Sequence, residues 1–374
     1  MSIEIIPVKS RKDLYKFIHL PAKIHKNHSN WVPPLYSDDW IFFDPGKNRS
    51  FSYSDTILLL AYKEGILVGR IMGIINHKYN DASGDRDVRF CFLETYDDYE
   101  VAKALIDHIE DWGRSKEMKN ITGPLGFSDK DPQGMLIEGF DEPVVISSNA
   151  NFPYMVDFLE KAGFGKKTDL VIYKVIIPKQ IPEFYRKIYE RTTRNNPGLR
   201  FVEIKTKRQI KPYIRPVLTL VNETFKDIYA FAPMSVQEMD EFASRYLMIL
   251  DPRFIKIIEN EKKEIVAFVL GIPDLSAGII KSKGYIFPFG FIHILRSQKT
   301  TKQLTLLLGA IREDCRNLGL NTMLGIKMLE EAYNAGLEYL DSHLELETNL
   351  KIRAEMEKMG GVVYKRYRIY TKPL

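Results

Sequence analysis

The chain has 374 residues, 45% hydrophobic and 28% charged, which suits about two domains with ordinary cores and excludes disordered, collagen-like and low-complexity architectures. Its longest apolar runs, 265–272 and 304–311, are far shorter than the roughly 20 residues a membrane-spanning helix needs, and no secretory signal opens it, so a cytoplasmic protein is expected. Residues 1–180 carry 23 Lys and Arg against 26 Asp and Glu, net −3, leaving 31 against 23, net +8, for residues 181–374. A basic second half suits an anionic ligand, a nucleic acid or an acidic membrane surface, although a solvated charged face explains the balance equally simply.

His19, His25 and His28 lie near the start without carboxylates or cysteines at metal-ligand spacing, so no metal site is expected. Residues 57–76 form two apolar runs around a Lys63-Glu64-Gly65 turn, which predicts a hairpin. The turn at 94–101 holds Glu94, Asp97, Asp98 and Glu100 and no glycine, so it repels anions; Asp97 or Asp98 reads as a helix N-cap. A long loop at 126–148 follows, of a length more often functional than idle. A helix then ends at Gly163, with a strand at 169–175 beyond it. Pro178, Pro182 and Pro197 bracket a short basic helix carrying Arg186, Lys187, Arg191 and Arg194, read as a linker over 179–198.

The pattern then repeats. A second hairpin at 254–274 places Gly271 at an offset of 198 from Gly73, and Glu357-Lys358-Met359-Gly360 repeats Glu160-Lys161-Ala162-Gly163 at an offset of 197. Two unrelated landmarks sharing nearly one offset imply duplication of a whole domain: 1–178 and 199–374, joined by the linker. The second copy is expected to run as a strand at 201–204, helices at 212–226 and 236–247, the hairpin, and a strand at 304–311. A helix at 320–334, a strand at 337–346, a helix at 350–358 and a last strand at 362–370 complete it. The run 286–292 (Ile-Phe-Pro-Phe-Gly-Phe-Ile) reads as an ordinary buried strand, with an acyl-chain wall or a membrane-facing edge as its alternatives.

The chemistry concentrates after the 304–311 strand. Arg316-Asn317-Leu318-Gly319-Leu320-Asn321-Thr322 is a small-residue turn opening into a helix, where unpaired backbone amides and the helix dipole make an anion cradle. Gly319 would let backbone approach a phosphate. In the strand 337–346, Asp341, His343, Glu345 and, just beyond, Glu347 share one face by the period of two. Ionisable groups on a central strand imply a wet cleft that tunes them toward neutrality, so Glu345 and His343 are the candidate bases, with Glu347 beside them. Cys315 reads as a strand-end residue, and no Ser-His-Asp elbow or P-loop occurs.

The 316–324 turn resembles the pyrophosphate loop of the GNAT acyltransferase superfamily, Arg/Gln-x-x-Gly-x-Gly/Ala. Arg316 and Gly319 match, Asn321 departs at the last position, and Asn349, Ala354, Glu357, Lys358 and Gly360 fit the family's closing segment. The resemblance implies an α/β (α+β) fold of two tandem GNAT-like domains, each a mixed, mostly antiparallel sheet flanked by helices. It implies acyl-CoA held by Ala310, Ile311, Arg316, Leu318, Gly319, Leu320, Asn321, Thr322 and Asn349 between splayed strands, with oxyanion donors near 309–311. Where many members place a thiolate-protonating tyrosine, this chain has Met356, and Leu159 in the first copy; Tyr285, Tyr333, Tyr364 and Tyr367 are substitutes. First-copy segments 30–35, 43–45, 123–128 and 151–154 resemble a bacterial tandem-GNAT family with members assigned to lipid N-acylation. That likeness implies an amine acceptor, a small molecule or lipid, near Trp31, Asp131, Asn151 and Tyr154. The expected activity is acyl-CoA-dependent N-acyl transfer without a metal or DNA. An acyl-CoA-binding module without turnover, and a transferase using aminoacyl-tRNA, are the alternatives.

Overall fold

A computed structural model describes residues 2–146, 148–226, 228–247 and 249–374. The first five strands are β1 (Ile3–Pro7), β2 (Ser54–Lys63), β3 (Ile66–Asn76), β4 (Asp87–Thr95) and β5 (Asn120–Gly123). Next come β6 (Met135–Glu138), β7 (Gly165–Ile176), β8 (Arg200–Phe201), β9 (Ile255–Glu259) and β10 (Ile265–Pro273). The last four are β11 (Gln303–Ile311), β12 (Tyr339–Asp341), β13 (Glu345–Leu346) and β14 (Val362–Pro373). They form one sheet in the order β1-β2-β3-β4-β5-β14-β7-β12-β11-β10-β9-β8, with β6 on β14 and β13 on β7. Two contacts, β4 with β5 and β11 with β12, are parallel, and the Tyr99–Ser115 and Leu320–Asn334 helices make the crossovers they require. The sheet is therefore mixed and mostly antiparallel, flanked by helices, and its two ends repeat one pattern.

The repeat is not a pair of separate bodies. β7, from the first copy, pairs with β12 of the second, and β14, from the second, pairs with β5 of the first. The two also pair antiparallel with each other, from Val362↔Lys174 to Thr371↔Gly165. Each copy's last strand thus completes the other's sheet, and a cut at 178 would open both. At this seam Asp169 is buried and accepts from Arg368 Nε (2.8 Å) and Nη2 (3.1 Å), with Lys166 at 3.2 Å. Burial works to raise its pKa, but the hydrogen bonds from Arg368 and Lys166 outweigh it and hold the carboxyl below its ordinary value.

Most expected elements recur with small shifts. The helix expected from Pro212 starts earlier, at Lys207, because Thr206 and Gln209 form a capping box there; Pro212 and Pro216 sit inside it. The 286–292 run is not a strand. Residues 286–289 turn between two short helices, Ser276–Ser282 and Gly290–Thr300, and 290–292 open the second; Phe287 and Phe289 face solvent.

Because the halves exchange strands, thermal unfolding should be a single transition for the whole chain. Asp169→Asn removes the charge and one of the two oxygens that accept from Arg368 at the seam and should cost about 3 kcal/mol. The wild-type advantage over this variant should be full above the unfolded value near 3.8 and vanish as pH falls through the lowered folded value. Calorimetry across acidic pH checks both.

Candidate active site

β11 and β12 pair over three residues only, Gln303↔Tyr339 to Thr305↔Asp341. From Leu306 onward β11 stays with β10, while the neighbouring chain turns away. The cause is local. The fully buried Asp341, which ends β12, accepts from the amide two residues on, at His343 N (2.7 Å), and from Tyr364 Oη on β14. His343 takes a left-handed backbone conformation (φ +56°), which costs a non-glycine residue about 1–2 kcal/mol and is offset here by the hydrogen bond from its amide.

That one residue breaks the strand's alternation, so the expected stripe of four ionisable groups does not form. Asp341 faces Tyr364, whereas Ser342, His343, Leu344 and Glu345 line a cavity of about 790 Å³ between the parted strands. Glu347 lies elsewhere: its carboxylate accepts from Asp169 N (3.0 Å) and pairs with Lys166, tying β13 to β7, which leaves it no free role as a base. On the opposite wall β11 is bulged: Leu270 pairs with Leu308 and Gly271 with Leu306, so Leu307 has no partner across the ladder. Leu306 to Ile311 line the cavity, and alternate amides on this open edge point into it.

Glu345 has no cation and no hydrogen-bond partner among the described residues, and burial alone pushes its pKa up to about 8. His343 is shifted the other way, chiefly by burial, against the opposing pull of Asp341 and the Ile146 backbone. It is therefore neutral near pH 7, and its Nε2 is buried with no hydrogen-bond partner. The two groups are an apolar-walled carboxyl poised to titrate and an uncharged imidazole two residues before it.

One end of the cavity meets the anion cradle. Arg316, Asn317, Asn321 and Thr322 line it, and Ala310, Ile311 and Asn349 also line the cavity. Gly319 is the left-handed N-cap (φ +84°) of the Leu320–Asn334 helix, whose ladder starts with Met323 N donating to Gly319 O (3.2 Å). The first-turn amides of Leu320, Asn321 and Thr322 have no intrahelical carbonyl to meet. Arg316 is exposed and makes no ion pair among the described residues. The reason for the glycine differs from that expected. A Cβ there would lie 2.3 Å from Thr192 Oγ1, so Gly319 admits the Glu183–Asn195 helix, and the expected linker is packed onto this corner. Leu320 is buried in the core, and Leu318 is outside the cavity wall. Asn349 caps the Leu350–Lys358 helix, and Met356 on that helix lines the groove.

The other end is an apolar chamber that the sequence did not single out. Ile210, Ile214, Val217 and Leu218 of the Lys207–Thr224 helix face Ile257, Phe268 and Ile272 of the sheet. Their helical spacing is visible in the sequence but matches that of any core-facing helix. Over this end the first copy's long loop contributes Asp129, Lys130, Asp131 and Gln133. Lys130 Nζ donates to Ala232 O (2.8 Å) and Asp129 N to Ala230 O (3.2 Å), so the loop is fixed to the second copy. Burial pushes Asp131 up to about 6, against the hydrogen bond from Ser128 N. The other acceptor candidates sit apart from the cavity. Trp31 stacks on His25, Asn151 brackets the Leu136 backbone, and Tyr154 donates to Thr95 O (2.8 Å). None of the four substitute tyrosines lines the cavity; Tyr185, Tyr213 and Tyr229 do.

In the first copy the corresponding gap is filled. Leu125 N donates to Phe90 O (2.8 Å), Phe127 is fully buried, and Met155 and Leu159 pack with Leu93. Asp98 caps the Tyr99–Ser115 helix with Glu100 in its first turn, so the helix start that has no side-chain cap at Gly319 is here capped by a carboxylate.

No protein-family model matches the chain. It is 27% identical to the bacterial ceramide synthase of Caulobacter vibrioides, covering 100% of this chain and 98% of that one. Protein YghO of Escherichia coli is 24% identical over 98% and 94%. Among solved structures, a tandem GNAT protein from the clavulanic acid biosynthesis pathway superposes with a TM-score of 0.56 at 12% identity, over 100% and 98% of the chains. A GCN5-related N-acetyltransferase from Sphaerobacter thermophilus gives 0.53 at 13%, over 99% and 95%. The fold is that of the tandem GNAT proteins, and the likeness to a named ceramide synthase runs the full length of the chain.

Since the folded pKa of Glu345 lies near 8 and its unfolded value near 4.5, its protonated form stabilises the fold fully below 4.5, and that contribution is lost as pH rises through 8. Between about pH 6 and pH 9 the wild-type melting temperature should therefore fall by roughly 2 °C more than that of Glu345→Gln. Differential scanning calorimetry of both proteins at the two pH values checks this.

Proposed function

We propose that the chain transfers a long acyl group from acyl-CoA to the amine of a lipid or long-chain acceptor, with Glu345 as general base. One observation carries this reading: a single cavity joins an unpaired arginine and an uncapped helix start at Asn321 and Thr322 to a lone carboxyl shifted toward neutrality, then continues into an apolar chamber. The first end fits a diphosphate. At about 790 Å³ the cavity is large within the range of roughly 300–1,000 Å³ typical of small-molecule sites. Its far walls, from Ile210 to Leu218 and from Ile257 to Ile272, suit a hydrocarbon chain. The likeness to a ceramide synthase along nearly the whole of both chains supports an acceptor of the long-chain amine class.

In this reading the Glu345 carboxylate takes the proton of the acceptor's ammonium group. The freed nitrogen attacks the thioester carbonyl and the N–C bond forms; as the C–S bond breaks, the nitrogen's second proton passes to the departing thiolate, which leaves as the free thiol. Amides on the open edge of β11 face the oxygen that gains charge. A thiol pKa near 8.5 lets the leaving group depart without a dedicated acid, which fits Met356 at the usual tyrosine position. Asp131 and Gln133, at the roofed end, offer polar partners to the acceptor. A carboxyl tuned to about 8 with no structural partner favours turnover over binding alone, because an inert pocket gains nothing from it.

Glu345→Gln should keep acyl-CoA affinity within about twofold and lower turnover by roughly 10²–10⁴. Wild-type kcat/KM should rise with pH and level off above about 8, following the titration of this carboxyl. Mass-spectrometric product assays with calorimetric donor titrations separate the two effects. Val217→Trp should shift the preferred donor toward shorter chains by filling the chamber, leaving acetyl-CoA affinity unchanged; competition between donors of graded length reads this out.

A further inference from the structure

Among the described residues, seventeen large hydrophobic side chains are exposed, and seven of them fall within residues 280–295. These are Ile280, Tyr285, Phe287, Phe289, Phe291, Ile292 and Leu295, with Phe287 77% and Phe289 69% exposed. Such a cluster on one short segment is a patch of the kind that marks an interaction surface. The segment that carries it is held rigidly. The Ser276–Ser282 and Gly290–Thr300 helices cross in backbone contact, since a Cβ on Gly278 would lie 2.6 Å from His293 O. At the tip, a Cβ on Gly290 would meet Tyr285 O, and Tyr36 N donates to Gly284 O (3.1 Å), pinning the turn to the first copy. The inner face is ordinary core: Ile279, Ile286 and Ile294 belong to the same cluster as Phe268 and Ile272, which wall the chamber. The outer face therefore does not owe its exposure to a loose fold.

Charge identifies the partner. Residues 276–302 contain five Lys and Arg and no Asp or Glu. Lys281, Lys283, Arg296 and Lys299 are exposed and make no ion pair among the described residues. Aromatic and aliphatic side chains at a turn, ringed by unpaired cations, match the headgroup boundary of an anionic bilayer, where rings sit at the interface and cations meet phosphates. No described helix is long and apolar enough to cross a membrane, so this contact would be one-sided.

We propose that the 285–289 turn and the first residues of the helix after it insert into the surface of an anionic lipid bilayer and seat the chamber behind them against the membrane. This stands independently of the acyl-transfer reading, because it concerns binding and is tested without turnover. The full chain is sedimented with vesicles of phosphatidylcholine, with or without phosphatidylglycerol. It should pellet with the phosphatidylglycerol vesicles, bind phosphatidylcholine alone far less, and release as salt rises. Phe287→Ser with Phe289→Ser should weaken binding about tenfold or more. Lys281→Gln with Lys283→Gln should weaken it by roughly 25-fold on phosphatidylglycerol vesicles only. Ile66→Ser, at an exposed hydrophobic position on the first hairpin, should change nothing. Phe289→Trp should shift its emission to the blue on adding vesicles, and circular dichroism confirms that each variant is folded. Failure of the wild type to pellet, or pelleting unaffected by loss of the two phenylalanines, overturns the proposal. So does a lipid-free dimer that the phenylalanine variant dissociates, which would make a second copy the partner.

Discussion

The Asp341 carboxylate is the constraint on which the rest depends. By accepting from the amide two residues ahead and from Tyr364 Oη, it holds His343 in a left-handed conformation and ends the pairing of β11 with β12 after three residues. A strand that continued straight would close the sheet, bury Glu345 against a neighbour and leave no cavity. The turn instead exposes the open edge of β11, rotates Glu345 into an apolar space and moves its carboxyl toward neutrality. Local backbone strain and the tuning of the candidate base are one structural event.

The exchange of final strands explains why a copy without an anion cradle remains part of the molecule. β14 cannot supply Tyr364 to Asp341 unless it lies between β5 and β7, and β7 supplies the surface on which β12 and β13 pair. The first copy's gap is filled by Leu125 and Phe127, and its long loop continues from there to roof the second copy's cavity. Duplication has left one open site and one plugged gap, and the plugged copy shapes the open one. Asp169, joined to Arg368 across the seam, couples the stability of both.

Much of this was legible in the sequence because it rests on local chemistry. The 197- and 198-residue offsets exposed the repeat, a run of carboxylates at 94–100 argued against an anion cradle there, and the 350–358 helix lies just before Gly360, where the C-cap glycine put its end. Period-two reasoning failed at 341–347, since one left-handed residue resets the phase and histidine carries no mark of it; only Asp341 two residues earlier, able to accept the His343 amide, hinted at a turn. Gly319 was legible as a special backbone position, but not that Thr192, more than a hundred residues away, demanded the missing side chain. The strand exchange was invisible because strands paired within a copy and between copies have the same pattern. The 286–292 run misled for a related reason: hydrophobic composition reports a need for an apolar partner, not whether that partner is the protein's own core.

The most direct test is the ionisation of Glu345 itself. With glutamate carboxyls labelled with carbon-13, its resonance, assigned from its loss in Glu345→Gln, should titrate with a midpoint near 8 in the free protein. A midpoint at the ordinary value near 4.5 would mean that the carboxyl is solvated, and would contradict the account of an apolar cleft opened at His343.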